Sequence, residues 1–489
     1  MKRIIQTITF PVSGIISLLL LTACQSGKNV EPPAPVLPVP SENQLAWHEM
    51  EMNAFIHFTT NTFTGKEWGY GDESPSIFNP TELDADQWIS VLKEAGFKGV
   101  ILTCKRHDGF CLWPSAYTEH SVKNSPYKNG NGDVVKEVSG ACKKHGLKFG
   151  VYLSPWDRNH EDYGSTEYIT YYRNQLEELF TGYVPVFEMW FDGANGGDGY
   201  YGGKREMRRI DRETYYDWPA TLDRVRGIQP QVLFFSDAGP DIRWVGNERG
   251  YVGETNWNTI TPDTLYAGKA GIERLLNTGS IDGTRWIPGE VDVSIRPGWF
   301  YHAEEDSLVK TPGQLFDMYL TSVGRGSVLL LNIPPDRRGL IHENDIRSLQ
   351  GFRQILDSVF ADNLAKNASV TASSYRGKSK QFAPGNLIDG NKETYWATDD
   401  DVVTGSFEIE FEEPQTVSYI LLQEYIPLGQ RVKAFRVEVW NNDQWETVSE
   451  ATTIGYKRIL KLDPVTTAKI RVTVTDAKAC PILSNVEAY

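Results

Sequence analysis

The stretch VPVFEMWFDG, residues 184–193, is an apolar run that stops abruptly at a carboxylate and a glycine. Such a run is typical of a buried parallel strand. In a β/α barrel the carboxyl ends of the strands form the active-site face, so Asp192 is placed for chemistry. A lone aspartate at a strand end more often caps the next segment. Here other predicted strand ends carry His, Trp, Arg and Glu as well, which favours a catalytic interpretation.

Strand-like and helix-like segments alternate over residues 53–363. Repeated β–α units predict an α/β fold. Over a segment of this length they favour a closed (β/α)8-type barrel over an open doubly wound sheet. No glycine-rich phosphate fingerprint follows the first strand, which disfavours a nucleotide-binding fold. The predicted strands cover residues 54–58, 99–103, 148–155, 186–191, 232–235, 243–245, 285–287 and 328–333, and the predicted helices cover residues 84–95, 133–145, 165–180, 218–225 and 314–323.

The chain changes character near residue 363, where helical periodicity gives way to short alternating stretches. This pattern predicts an all-β sandwich. Its clearest strands are residues 406–411, 417–422, 435–440 and 469–474. The 489 residues therefore divide into a signal peptide (1–24), a proline-rich tether (25–44), a barrel (45–363) and a sandwich (364–489).

The first residues predict a place in a bacterial cell envelope. Lys2 and Arg3 precede a short apolar stretch and then LTAC, residues 21–24, which is typical of a signal peptide ending in a lipobox. Cys24 would then be acylated, and the tether would hold the protein off a membrane. An ordinary secretory signal with a chance cysteine is the alternative. Gln25, in place of an aspartate, favours the outer membrane, in a periplasmic or surface-facing position.

The amino-acid composition argues against several kinds of binding partner and of catalytic chemistry. A net charge of -15 argues against nucleic acid and against electrostatic binding to a membrane surface. The 14 tryptophans suit a protein that stacks on sugar rings. With only 8 histidines and no H-x-H or H-E-x-x-H spacing, a metal-dependent hydrolase is the weakest option, so no cofactor is expected for catalysis. The spacing of the remaining four cysteines defines neither a metal site nor disulfide pairs.

Polar and aromatic side chains gather at the predicted strand ends. Two carboxylates, several groups that bind hydroxyls and flat aromatic walls are what a sugar hydrolase needs. Any one of these residues could be a satisfied hydrogen-bonding group, but six or more such strand ends are hard to explain by packing. The candidates are His57, Glu67, Trp68, Arg106, His107, Tyr152, Trp156, Asp192, Asp237, Arg243, Asn247, Glu248, Glu290, Arg296 and Trp299.

Several of these residues lie in motifs that resemble glycoside hydrolase family 29, the α-L-fucosidases. The motifs are HF with NTF (57–63), EW (67–68), HDGF with LWP (107–114) and WFDG (190–193). The resemblance covers residues 45–363 and implies a retaining mechanism with Asp192 as the nucleophile. It also implies that the fucose ring is held by His57, Glu67, His107, Tyr152 and Trp190. We place Trp68, Arg106, Arg243, Glu290 and Trp299 in the same substrate-binding set.

The acid/base is expected from a second resemblance. DIRW followed by GNE, residues 241–248, resembles the motif of the subgroup that cleaves branched α-1,3/1,4-fucosyl linkages, where the glutamate is the acid/base. This makes Glu248 the expected acid/base, with Glu254 and Glu290 as alternatives. EVDVS, residues 290–294, also matches a subgroup motif and implies a substrate-shaping role for Glu290.

Arg106 is a departure from the family. Many members have a histidine there, and that histidine touches the sugar, whereas arginine is larger and always charged. A preference for an altered or larger glycan is the implied consequence. The catalytic pair itself shows no such departure.

The C-terminal region resembles a discoidin-like domain, or family 32 carbohydrate-binding module. The motifs are NASVTAS (367–373), LIDG (387–390) and TYWA (394–397). Modules of this kind often hold one structural calcium. The resemblance implies Asp389, Thr394 and Glu487 as its oxygen ligands, with a metal-free turn as the alternative.

We therefore expect an exo-α-L-fucosidase that acts on fucosylated oligosaccharides or glycoconjugates and meets the membrane only through its lipid anchor. Two other functions stay open. A non-catalytic glycan-binding lipoprotein would share the aromatic strand ends but would not need both Asp192 and Glu248. A barrel glycosidase of a different sugar specificity is suggested by Arg106.

Overall fold

The computed structural model of the protein describes residues 30–489. The predicted lipobox with Cys24 lies outside the described residues, so the lipid anchor stays a prediction. From residue 30 onward, no helix is both long enough and apolar enough to cross a membrane. Residues 33–489 form one compact unit.

Eight parallel strands close into a barrel in which each strand pairs with its neighbours in the chain and the last pairs with the first. This confirms the predicted barrel. The strands are β1 (Met52–Ile56), β2 (Gly99–Lys105), β3 (Lys148–Leu153), β4 (Val186–Trp190), β5 (Leu233–Ser236), β6 (Ile242–Trp244), β7 (Gly289–Ser294) and β8 (Val328–Asn332).

Helices follow most of the strands and begin where the sequence supplies a cap. Asp84 accepts hydrogen bonds from the backbone N–H groups of Asp86 and Gln87, and Asp133 accepts one from that of Lys136. These side chains satisfy N–H groups that have no partner inside a helix. The helices are α1 (Glu42–His48), α2 (Thr60–Thr64), α3 (Ala85–Glu94), α4 (Val134–His145), α5 (Thr166–Gly182), α6 (Trp218–Ile228), α7 (Glu273–Thr278), α8 (Pro312–Thr321) and α9 (Glu343–Val359).

The predicted seventh strand was wrong. Residues 285–287 do not enter the barrel: Arg285–Trp286 pairs antiparallel with Thr259–Ile260 in a separate two-stranded sheet, and the barrel continues with β7. A barrel strand usually gives a continuous apolar run. In β7 the carboxyl side chains of Glu290 and Asp292 alternate with valines and are buried, which hides the strand from a hydrophobicity pattern.

An antiparallel sandwich follows the barrel, as predicted. Residues 406–411 and 417–422, predicted as two strands, belong to one long strand with a register shift between Glu410 and Gln415. The order is β10-β15-β11-β14-β12-β13, and β9 pairs with β11. The strands are β9 (Ser369–Ala372), β10 (Trp396–Ala397), β11 (Gly405–Glu424), β12 (Val432–Asn441), β13 (Gln444–Ala451), β14 (Arg458–Ala477) and β15 (Ile482–Ala488).

Part of the predicted tether lies against the sandwich. The backbone N–H of Val36 donates to the carbonyl of Leu428 at 2.9 Å, and Arg431 donates from Nη2 to the carbonyl of Ala34 at 2.6 Å. Helix α1 then begins at Glu42, inside the range expected to be a spacer. The described end of this segment is therefore anchored on the protein body.

Candidate active site

A cavity of about 320 Å³ opens at the carboxyl ends of the barrel strands. This is the face on which barrel enzymes place their active sites. Its size suits one sugar ring with room at the mouth. The lining residues are Trp68, Arg106, His107, Trp190, Asp192, Gly193, Ala194, Asp237, Trp244, Glu248, Gly268, Asp292 and Trp299.

Asp192 lies two residues beyond the end of β4 and is held by both of its oxygens. Oδ2 accepts hydrogen bonds from Nη1 of Arg106 at 2.9 Å and from the hydroxyl of Tyr152 at 2.8 Å. Oδ1 accepts the backbone N–H of Ala194 at 2.7 Å. The side chain is 15% exposed, so the carboxylate is fixed yet open to the cavity.

The environment keeps Asp192 ionised. Burial alone would raise the pKa of this carboxyl, but the charge of Arg106 and the hydrogen bonds from Ala194 and Tyr152 lower it below its ordinary value. Burial and Arg106 in turn lower the pKa of His107 to about 3. The imidazole is therefore neutral at neutral pH, and Arg106 supplies the permanent positive charge beside Asp192.

Glu248 lies on the loop that follows β6, with its side chain exposed at the cavity wall. Partial withdrawal from solvent and the charge of Asp192 raise its pKa, while a hydrogen bond from the Trp299 side chain lowers it in part. A carboxyl with a raised pKa beside one with a lowered pKa is the arrangement that lets one donate a proton while the other stays ionised.

The loop that carries Glu248 is held by the sandwich. The backbone N–H of Asn256 donates to Oγ1 of Thr453 at 2.8 Å. The backbone N–H of Asn258 donates to Oε1 of Gln430 at 2.9 Å, and Nε2 of Gln430 donates back to the carbonyl of Asn256 at 2.9 Å. The C-terminal domain therefore fixes the far end of an active-site loop.

Glu67 connects two walls of the site. Its Oε2 accepts the backbone N–H of Trp299 at 2.8 Å, and its Oε1 is 2.6 Å from Nε2 of His302. The Trp299 ring lies 5.2 Å from the ring of His57, whose Nδ1 donates to Oδ1 of Asn332 at 2.9 Å. Glu67, Trp299 and His57 thus form one cluster, and burial lowers the pKa of His57 well below its ordinary value.

Five residues of the predicted substrate-binding set are absent from the cavity lining: His57, Glu67, Tyr152, Arg243 and Glu290. His57 and Glu67 contact Trp299, and Tyr152 donates to Asp192. Arg243 is buried and donates to the carbonyls of Leu276, Trp257 and Ile287. It therefore holds the loops around α7, and burial lowers its pKa to about 9. Glu290 lies inside the barrel and accepts the indole N–H of Trp190 at 3.1 Å. Side chains alternate along a strand, so Arg243 points away from the cavity that its neighbour Trp244 lines. Glu290 shares the face of Asp292 but lies near the start of β7, below the cavity.

Two cavity side chains, Trp244 and Asp292, were missed by the sequence analysis, and Asp237 was a strand-end candidate that was left out of the substrate-binding set. Asp237 follows β5 just as Asp192 follows β4; it accepts the backbone N–H of Gly268 at 2.8 Å, and burial raises its pKa to about 6. Asp292 was missed because its strand was misplaced. Burial and the charge of Glu248 raise the pKa of Asp292 well above its ordinary value, and the Trp244 side chain hydrogen-bonds to it.

The predicted calcium ligands are only partly suited to a metal. Oγ1 of Thr394 donates to Oδ2 of Asp389 at 2.7 Å, so these two lie together. Both carboxylate oxygens of Glu487 accept hydrogen bonds elsewhere, from Asn485 at 3.0 Å and from Tyr489 at 2.5 Å. Across residues 30–489, no group of three or more His, Cys, Asp or Glu residues could hold a metal ion. Calcium at Asp389, Thr394 and Glu487 stays a prediction.

Comparison with known proteins assigns the family. The α-L-fucosidase family matches residues 35–358, and the F5/8 type C domain, a discoidin-like domain, matches residues 369–487. The chain belongs to the α-L-fucosidase family, glycoside hydrolase family 29. It is accordingly a glycoside hydrolase, in which a fucosidase barrel precedes a carbohydrate-binding-module type of domain.

Relatives match over nearly the whole chain. Alpha-L-fucosidase 1 of Arabidopsis thaliana is 42% identical over 99% of this chain and 93% of its own. The crystal structure of a family 29 member from an unknown rumen bacterium is 46% identical, with a TM-score of 0.83 over 94% of this chain and 78% of that one. A Ruminococcus gnavus family 29 fucosidase in complex with fucose is 34% identical, with a TM-score of 0.84 over 94% and 96%.

Replacing Arg106 by glutamine removes the positive charge next to Asp192. The nucleophile of a retaining fucosidase has to be ionised, so activity falls as the pH drops through the pKa of Asp192. Without the charge that pKa rises, and we expect the acid limb of the kcat/KM profile for an aryl α-L-fucoside to move up by about 1 pH unit or more.

Arg106→Lys is the control, because it keeps a positive charge at the same position. An acid limb at the same pH in Arg106→Gln and in the parent enzyme would contradict this electrostatic role for Arg106.

Proposed function

We propose that the protein is a retaining exo-α-L-fucosidase that removes L-fucose from α-1,3/1,4-fucosylated glycans. The observation that carries the proposal is the contrast between Asp192, whose pKa is lowered, and Glu248, whose pKa is raised, in one cavity. In a double displacement the nucleophile must be ionised and the acid protonated at the same pH. Asp192 and Glu248 meet those two requirements.

In the first step Oδ of Asp192 attacks the anomeric carbon, and Glu248 donates its proton to the leaving sugar oxygen. The products are a covalent fucosyl-enzyme and the freed aglycone. In the second step Glu248, now ionised, takes a proton from water, the oxygen attacks the same carbon, and the bond to Asp192 breaks. The two carboxyl groups are expected about 5–5.5 Å apart when the site is closed around substrate.

The remaining lining groups bind the sugar and keep water out of the site. Trp190 and Trp299 offer apolar faces, and the neutral imidazole of His107 lies with its Nε2 3.7 Å from Asp192. A cavity of about 320 Å³ accepts a single terminal sugar, which supports an exo mode of action. The presence of fucose in the complex of the Ruminococcus gnavus relative supports the choice of sugar.

The linkage preference is proposed from the motif of residues 241–248 and from the exposed mouth of the cavity. Trp68, at the rim of the cavity, is 48% exposed. Together with Tyr70 and Arg205 it also lines a shallow surface outside the cavity. A branched glycan has more sugar to place than a simple aryl fucoside. An open aromatic rim suits such a substrate.

We expect the enzyme to release fucose from a Lewis-type trisaccharide with higher kcat/KM than from 4-nitrophenyl α-L-fucoside. Chromatography of free fucose measures both reactions, and Asp192→Asn should abolish both. Cleavage of the aryl fucoside with no cleavage of the trisaccharide would contradict the linkage proposal while leaving the fucosidase assignment intact.

Glu248→Ala should lose most activity toward the trisaccharide, whose leaving group needs protonation. With an activated aryl fucoside, azide should restore turnover and yield a fucosyl azide, because the small anion replaces the base-activated water. Glu254→Ala is the matched control, since Glu254 lies on the same loop but outside the cavity lining. If Glu254→Ala showed the azide rescue and Glu248→Ala did not, the acid/base assignment would be wrong.

The lipid anchor is proposed on the lipobox alone. An acylated Cys24 would hold the enzyme in the cell envelope, where it meets glycans from outside the cell. In cells making the full chain, Cys24→Ser should move the protein from the membrane fraction to the soluble fraction. A parent protein already found in the soluble fraction would contradict the anchor.

A further inference from the structure

Two glutamates face each other inside the barrel, beneath the cavity that holds the catalytic pair. Glu188 comes from β4 and Glu290 from β7, and each has an exposed fraction of 0%. Oε1 of each carboxyl group is buried with no other protein partner, and the two carboxyl groups interact with each other. Neither takes part in the mechanism described above.

Chemistry requires a proton between them. Two ionised carboxylates have only acceptor oxygens, so they cannot form a hydrogen bond unless one of them is protonated. In the described part of the chain neither carboxyl has a salt-bridge partner that would allow both to ionise. Burial raises the pKa of Glu188 to about 8 and that of Glu290 well above its ordinary value.

Each remaining oxygen binds an indole. Nε1 of Trp47, on α1, donates to Oε2 of Glu188 at 2.9 Å. Nε1 of Trp190, at the end of β4, donates to Oε2 of Glu290 at 3.1 Å. Trp47, Glu188, Glu290 and Trp190 therefore form a continuous chain across the barrel interior, from the first helix to the wall of the active site.

Trp190 in turn is coupled to the nucleophile. Its ring stacks on Phe235 at 4.1 Å, with 8° between the planes, and on Tyr152 at 5.5 Å. The Tyr152 hydroxyl donates to Asp192 at 2.8 Å. The orientation of the Trp190 indole is thus set by stacking on Phe235 and Tyr152 and by the hydrogen bond from its N–H to Glu290.

We propose that Glu188 and Glu290 are positioning residues, whose shared proton keeps the Trp190 indole in place as the floor of the sugar site. The pair touches neither the sugar nor Asp192 and acts only through Trp190. The inference rests on the proposed function to the extent that Trp190 binds the reacting sugar.

Few other polar groups face the pair. Trp47 faces it from α1, Trp190 from β4 and Asp292 from β7, and Asp292 is the charged group whose ionisation would oppose loss of the shared proton. Asn53, on β1, has its side-chain amide buried without a protein partner, so it does not neutralise the pair. Loss of the proton would leave two adjacent negative charges in a low-dielectric interior, which repel each other.

The consequence is a loss of activity at alkaline pH that does not come from Glu248. Once the shared proton leaves, the carboxyl groups separate and the Trp190 indole loses its fixed acceptor. Glu188→Gln replaces the shared proton by an amide N–H, which donates to Glu290 at any pH, while the amide oxygen still accepts from Trp47. Glu290 can still ionise, but a second negative charge can no longer form beside it.

The test compares pH profiles of kcat/KM for an activated aryl α-L-fucoside in a Glu248→Ala background. This leaving group needs no acid, so the ordinary alkaline limb from Glu248 is absent. We expect an alkaline decline in the background enzyme that is absent once Glu188→Gln is added, because two adjacent negative charges can then no longer form. Glu290→Gln should give the same profile, which keeps the test valid if one variant does not fold.

Thermal unfolding supplies an independent readout. The unfolded chain releases its carboxyl protons near the ordinary pKa of glutamate. In the folded protein burial raises the pKa of Glu188 to about 8 and that of Glu290 well above its ordinary value, so folding becomes less favourable as the pH rises from the ordinary value to about 8. The Tm advantage of Glu188→Gln over the parent should therefore grow from pH 5 to pH 8. A purely structural pair would change Tm without moving the activity profile.

Failure of the proposed function and failure of the positioning role would give different results. A background enzyme with no turnover of any fucoside would contradict the proposed function. Turnover with the same alkaline decline in the parent background, in Glu188→Gln and in Glu290→Gln would overturn the positioning role alone. Glu188→Ala, which leaves Glu290 without its partner, should lower kcat at every pH and should be rescued by glutamine at that position.

Discussion

The hydrogen bonds and the charge around Asp192 are the constraint on which the rest of the site depends. A carboxylate at the end of a buried strand would normally take up a proton, because burial disfavours the charged form. Arg106, Tyr152 and the N–H of Ala194 reverse this by binding the ionised form at distances of 2.7–2.9 Å. Each of these donors comes from the barrel: β3 supplies Tyr152, and the segment after β2 supplies Arg106. Closure of the barrel is therefore what keeps the proposed nucleophile ionised.

The second carboxyl group, that of Glu248, is positioned by a loop and not by the end of a barrel strand. Glu248 lies on a loop, and the hydrogen bonds from the region of residues 256–258 to Thr453 and Gln430 anchor that loop to the sandwich. A loop fixed at one end and exposed at Glu248 can adjust when substrate arrives. The discoidin-like domain thus contributes to the geometry of catalysis through these contacts, whatever its own affinity for sugar.

The sequence was sufficient for the barrel, because seven of its strands are apolar enough to show their pattern and Asp84 and Asp133 mark two helix starts. It failed at β7, where inward carboxyl groups replace apolar residues. Arg243 and Glu290 were assigned to the sugar site because strand ends were identified without the direction of each side chain. Asp292 was overlooked because its strand, β7, was misplaced. The contacts of Arg106 with Tyr152 and Asp192 join residues from three strands, so no local pattern could predict them.

The most direct test of the account is covalent trapping with a 2-deoxy-2-fluoro-L-fucosyl fluoride. The 2-fluoro group slows both displacement steps and the fluoride leaving group speeds the first, so a retaining enzyme accumulates its fucosyl-enzyme. Mass spectrometry of peptides should locate the added sugar on Asp192, with no label in Asp192→Asn. A label on a different carboxylate, or turnover with inverted configuration and no label, would contradict the assignment of Asp192 as the nucleophile.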